Sequence, residues 1–273
     1  MLIFKNEHGK AHRHLSKMVR SWKNNAGVGM GGLLVDTLTH RFLSNHEEYD
    51  NIGLSDFNKL CRDFFQYLKD EPKKDHYQAL GSGQDVKVKH YFQNKAKTAY
   101  RKAITAVEED DEEKKHNAWR EIFGRQFPKS EQVVAKNQMF SESQSDQEEF
   151  IEDKYSIDIK YGLKLDCEIK RDGFRESLLS RILAEGHRIS RVRSLDFIFQ
   201  TDVPEPYDVK WKARNVGEEA IRRNCLRGQI IESNKHPNIR HESADFRGPH
   251  YMECYIIKNS IVVARDKIEV PIE

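Results

Sequence analysis

The stretch PYDVKWKARNVGEEA, residues 206–220, decides how the C-terminal half folds. From Asp208 to Asn215 apolar and charged residues alternate, the period of a strand with one buried face. Val209, Trp211 and Ala213 are expected to face a core, and Lys210, Lys212 and Arg214 the other way. Working outward, Leu163, Leu165, Cys167 and Ile169 alternate with polar residues, as do Leu195, Phe197 and Phe199. RGQIIE (227–232), HYMECYII (250–257) and SIVVARDKIEVPI (260–272) continue the pattern. About seven short strands between turn residues predict a β-sandwich of roughly immunoglobulin type. RESLLSRILAEG (175–186) interrupts it as a helix and GEEAIRR (217–223) as a helical turn.

Upstream of Phe150 the period becomes helical, so the fold class is α+β. Leu15, Met18, Val19 and Trp22 share one helix face, as do Leu34, Leu38 and Phe42. SDFNKLCRDFFQYLKD (55–70) is the clearest helix, with Phe57, Leu60, Cys61, Phe64, Phe65 and Leu68 on its apolar face and Ser55 as expected N-cap. A longer helix is expected from about His90, carrying Ala96, Ala99, Tyr100, Ala103 and Val107, and regaining apolar contacts at Trp119, Ile122 and Phe123. The charge run EEDDEEKK (108–115) reads as a solvated helical surface or a break between two helices. Gly124 and Pro128 supply stop signals. The polar stretch 129–149 lacks periodicity, which gives a helical domain over 1–128, a linker over 129–147 and a β-domain over 148–273.

Composition excludes several classes. Of the 273 residues 37% are hydrophobic and 33% charged, and no run approaches the length of a membrane helix. A net charge of +2 does not point to DNA or RNA binding. The opening residues lack a signal-peptide core. Four scattered cysteines (Cys61, Cys167, Cys225, Cys254) fit buried thiols in a reducing cytoplasm. His12, His14, His236, His241 and His250 stand without ligand spacing, so no structural metal is expected.

Two motifs dissolve on context. Gly27, Gly29 and Gly32 satisfy a dinucleotide fingerprint, but they follow a helix and read as a helix–helix connection. Asp166 and Glu168 could share a divalent cation, yet no Gly-Ser turn closely precedes them; the solvent face of a strand is the better reading. A third cluster is more informative. Tyr251, Glu253 and Tyr255 fall on one face of their strand, and if that face meets Lys212 and Arg214, cations, tyrosines and a carboxylate converge. The same residues also fit a Glu253–Arg214 ion pair that ties the sheet together.

At PYDVKWKARNVGEEA, LRGQI, FRGPHYMECYIIKN and DKIEVPI the chain resembles the adenylyl/guanylyl and SMODS C-terminal sensor domain, from EEFIEDKYSIDIKYGLKLDCEI through Ile272. The first half is similar to the rear portion of SMODS nucleotidyltransferases, a branch of the bacterial cGAS/DncV-like enzymes. HLSKMVRSWKNNAG resembles their spine helix, and LLVDTLTHRFL, LCRDFFQYL, ALGSGQDV, NKAKTAY and WREIFGRQFP resemble later elements. The resemblance implies a part of a synthase that joins nucleoside triphosphates into cyclic di- or oligonucleotides for anti-phage signalling, whose product activates an effector. Such enzymes hold two Mg²⁺ with three carboxylates after a Gly-Ser motif. That set should precede the helix with Trp22, where no aspartate stands. The chain is therefore expected to lack the catalytic lobe, to carry no cofactor and to catalyse nothing alone. Lys23, Ser82 and Gln84 would be retained nucleotide contacts. Lys212, Arg214, Arg227, Arg247 and Glu253 would help bind a nucleotide-type ligand on the sensor, with Tyr251 or Tyr255 stacking. The alternative is a stand-alone ligand-binding or adaptor protein.

Overall fold

A computed structural model describes residues 9–49, 53, 56–79, 81–128, 148–170, 177–187, 189, 194–243 and 247–272. The chain forms two compact units, Met1–Ser145 and Asp146–Glu273. The expected linker at 129–147 and the expected N-cap Ser55 lie outside the described residues.

In the first unit α1 (Gly9–Ala26) buries Ala11, Leu15, Val19 and Trp22 along one stripe and ends at Gly27, whose φ of 68° suits a residue without Cβ. α2 (Gly32–Leu43) follows, so the glycines are a helix connection. α3 (Phe57–Asp70) buries Leu60, Cys61, Phe64, Phe65 and Leu68, and Phe65 meets Trp22 edge-on at 5.2 Å. An antiparallel hairpin of β1 (His76–Gln78) and β2 (Asp85–Lys87) adds to the expected helices; strands of three residues are too short to display a period. The long helix is two: α4 (Gln93–Glu108) and α5 (Glu112–Phe123). Asp111 causes the break, since its carboxylate accepts from the Lys114 N–H at 3.0 Å and caps α5. The far end of α5 is satisfied from α1. Ser21 Oγ donates to the Phe123 carbonyl at 2.7 Å, and Asn25 Nδ2 to those of Glu121 and Ile122.

The second unit begins with a helical turn α6 (Ile151–Lys154) and β3 (Ser156–Ile157). β4 (Leu163–Lys170), β5 (Ser177–Leu178), α7 (Leu179–Ala184), β6 (Ser194–Thr201) and β7 (Asp208–Asn215) follow. α8 (Glu218–Arg222), β8 (Arg227–Ile231), β9 (Ile239–Glu242), β10 (Gly248–Lys258) and β11 (Ile261–Ile272) complete it. Two sheets result, in the orders β3-β11-β10-β7-β8 and β5-β4-β6-β9. Asn259 and Ser260, at φ 52° and 61°, turn β10 into β11 as a two-residue hairpin whose twist matches its strands. Val209, Trp211 and Ala213 face the core as expected, against Cys167 and Phe197 of the other sheet.

The architecture is thus mixed α+β, with two sheets over one core, but it is not clearly an immunoglobulin sandwich. The first strand, β3, pairs parallel with the last, β11, and the two orders differ from the immunoglobulin arrangement. Alternation tells which face of a strand is buried, not which strands become neighbours. Asp166 corrects a second expectation: it is 8% exposed, not on a solvent face. Its carboxylate accepts from the Ser180 N–H at 3.1 Å and from the Ser180 hydroxyl at the start of α7, two groups that need an acceptor.

Candidate ligand site

The outer face of the five-stranded sheet brings together most of the expected sensor residues. Register sets Tyr251 opposite Arg214, Glu253 opposite Lys212 and Tyr255 opposite Lys210. The face is not open. Residues 148–154 lie over it, and Ile151 packs with Ile159, Tyr255, Ile257 and Val262 in a small second core. Lys212, 2% exposed, sits 2.6 Å from Glu148 and 3.6 Å from Glu253, with its ammonium 4.5 Å from the Phe150 ring centre. Arg214 reaches Glu148 at 3.5 Å and donates to the Arg227 carbonyl at 2.8 Å. Arg265 bridges Glu152 at 3.0 Å and Glu253 at 3.1 Å while lying over the Tyr255 ring. Lys267 lies over the Tyr251 ring, whose hydroxyl donates to Glu148 at 3.4 Å. One stacking surface of each tyrosine is therefore taken by a cation of the chain, and Tyr255 is only 1% exposed.

Residues from the inner faces of both sheets line a cavity of about 370 Å³. Leu195, Phe197, Ala213, Met252, Val270 and Ile272 form its apolar wall. Asn215, Arg223, Cys225, Arg227, Glu242, Ser243, His250 and Tyr251 complete the lining. Glu242 holds two guanidinium groups, Arg227 in a fork at 2.7 and 3.1 Å and Arg240 at 2.7 Å. Two cations on one carboxylate leave a net positive charge there. Asn215 is fixed between the Cys225 carbonyl at 2.6 Å and the His250 ring at 2.9 Å. Such a site can take a flat apolar group against its wall and an anion near its arginines.

Of the expected set, Arg227 lines this cavity, and Tyr251 borders it although its ring lies on the outer face under Lys267. Lys212, Arg214, Glu253 and Tyr255 occupy the opposite face of the sheet, and Arg247 stands exposed just before β10. Lys23 is 4% exposed in the last turn of α1, so it is not a surface cation. Ser82 and Gln84 are exposed in the β1–β2 turn, where the Gln84 N–H donates to Ser82 Oγ at 3.3 Å and the Gly83 N–H to the Ala79 carbonyl. Glu148, Glu152, Arg265, Glu242 and His250 were missed. The alternation of β9 and β11 could have placed Glu242 and Arg265. Glu148 ends an aperiodic polar run and carried no such signal. Among the described residues no three His, Cys, Asp or Glu side chains converge as metal ligands.

Both networks make the unit acid-sensitive. Burial raises the Glu253 carboxyl, but Arg265 and Lys212 outweigh it and hold the pKa below the usual glutamate range. Burial likewise opposes, and Arg227 and Arg240 overcome, at Glu242. A depressed folded pKa contributes stability that is present above the unfolded value, about 4.3, and lost as pH falls through the folded one. Urea denaturation from pH 7 to pH 3 is expected to show stability falling below about pH 4, and Glu253→Gln to flatten that fall. Parallel profiles for the two proteins would remove Glu253 from the account.

The second unit is a two-layer β-unit with an apolar cavity that Arg223 and Arg227 help line. Residues 145–273 match the family described as the Adenylyl/Guanylyl and SMODS C-terminal sensor domain. The C-terminal unit is thus a sensor domain of the kind found on nucleotide second-messenger synthases. None of the curated proteins compared with the chain matches it. Among the described residues no helix is long and apolar enough to cross a membrane.

Proposed function

We propose that the C-terminal unit senses a nucleotide-type ligand held in the cavity between its sheets, and that the N-terminal unit is the helical rear portion of a cyclic-oligonucleotide synthase. The observation that carries the first part is the pairing of an apolar wall with two arginines on one carboxylate. The wall takes a base and the surplus positive charge takes a phosphate. At about 370 Å³ the cavity is near the lower bound for ligand pockets, which favours a ligand of one or two nucleotide units over a large ring. Arg227 supplies the forked donor, Arg214 supports it from behind, and Arg247 stands at the surface for an extended phosphate.

The order of helical elements after the Trp22 helix supports the second part. There Lys23, Ser82 and Gln84 remain proposed nucleotide contacts. Mg²⁺ belongs with the Gly-Ser loop and three carboxylates of a catalytic lobe; the described residues present no such set. Synthesis, the signalling effector and a cytoplasmic setting follow from this reading of the whole protein.

Calorimetry on the full chain with mono-, di- and cyclic nucleotides tests the sensor. At least one is expected to bind, and Arg227→Ala to weaken that binding by about 1.5–3 kcal/mol, the worth of a hydrogen bond to a charged group. No binding across the panel, or equal binding by the variant, would sink the assignment.

A further inference from the structure

The cavity and the segment by which the chain enters the unit share one piece of backbone. Arg227 sends its side chain to Glu242 at the cavity and its carbonyl to Arg214 Nη1 on the opposite face. The next carbonyl, that of Gly228, accepts from the Glu149 N–H at 3.0 Å. Glu149 also accepts from the Ile230 N–H at 2.7 Å, and Glu148 pairs with both Lys212 and Arg214. Glu149 is therefore clasped by β8, the strand that carries Arg227, and Glu148 by Lys212 and Arg214 of the neighbouring β7, where Arg214 also holds the Arg227 carbonyl.

This backbone is strained and tightly filled. Arg227 has φ 59° and Gly228 φ 118°, both in the left-handed half of the map, where a residue with a side chain is disfavoured. The pairing of β7 with β8 shifts register here, between Lys212 and Arg214. A Cβ at Gly228 would lie 3.2 Å from Arg214 Nη1 and 3.3 Å from Glu148 Cα, so the clasp rests directly on this glycine. A strained residue persists where surrounding contacts hold it, and the Arg227–Glu242 fork is the contact that a ligand anion would compete for.

We propose that residues 227–228 are a relay: an anionic ligand that draws Arg227 from Glu242 releases the β8 backbone and loosens the hold on Glu148 and Glu149. Occupancy of the cavity is then reported at the point where residues 129–147 join the sensor. The regulatory direction rests on the sensor reading above; the mechanical coupling between the fork and the clasp does not. It requires only that the hydrogen-bonded chain Glu242–Arg227–Gly228–Glu149 behaves as one two-state element.

Hydrogen exchange on the intact chain reads the clasp through the amides of Glu149 and Ile230. Glu242→Gln weakens the fork without ligand and keeps the side-chain shape. It is expected to speed exchange at both amides about tenfold, while Cys254 in the middle of β10 keeps the native rate. Arg227→Lys, which keeps the charge and loses the fork, is expected to do the same and serves if Glu242→Gln fails to fold. Native exchange at Glu149 and Ile230 in a folded variant overturns the relay. In a second arm, Cys225 in the cavity wall is labelled with a thiol reagent in the presence of each nucleotide. Protection of Cys225 with no change at Glu149 and Ile230 defeats the relay and leaves the sensor standing. Faster exchange in the variants with no protection by any nucleotide supports the coupling and defeats the nucleotide assignment.

Discussion

Trp211→Ala is expected to cost the C-terminal unit about 3–5 kcal/mol, the range for deleting a buried large aromatic side chain. Trp211 is fully buried between the sheets, with its ring centre 5.9 Å from that of Phe199. Its indole N–H donates to Ser233 Oγ at 2.9 Å, and that hydroxyl donates on to the Pro237 carbonyl. Truncation would leave a cavity in both layers at once and strip the Ser233 hydroxyl of its donor. Trp211→Phe retains most of the apolar contact and is expected to cost clearly less. Denaturant unfolding followed through the C-terminal unit measures both. A loss below about 1 kcal/mol for Trp211→Ala would mean that the two sheets close over the gap.

Lys212→Ala is expected to be of similar size for the opposite reason. It empties less volume than the loss of Trp211, but it removes the cation between Glu148 and Glu253, whose side chains are only 15% and 12% exposed. Breaking a buried ion pair on one side costs about 3–5 kcal/mol, because a desolvated charge is left behind. Arg214 and Arg265 still reach the two carboxylates, which sets the lower end of that range. The double variant Lys212→Met with Glu148→Gln removes charge from both sides and is expected to recover much of the loss. Equal destabilisation by the single and double variants would show that Lys212 acts through packing of its stem rather than its charge.

The two substitutions sit on adjacent residues of one strand, and the sequence separates them only in part. Alternation put Trp211 inward and Lys212 outward, which the structure bears out. Alternation alone says only that Lys212 faces away from the core. That direction leads into a second buried layer, made when residues 148–154 return over the sheet. That return pairs residues more than sixty positions apart, and no local pattern in 148–154 announces it. The cavity is a similar case. Arg227 was singled out, but Glu242, Asn215 and His250 become its neighbours only through strand order.

By itself, the sequence determined the local choices: helices in the first half, strands in the second, which side chains face a core, and where glycine and asparagine let the chain turn. These follow from periods of 3.6 and 2 and from backbone sterics, which act over a few residues. Tertiary structure alone decided that β3 lies beside β11, that Glu148 pairs with Lys212 and Arg214 on the outer face, and that a cavity lies between the sheets beside Arg227. Those outcomes depend on burial and charge pairing between distant segments, and such terms have no value until the strands have found their neighbours.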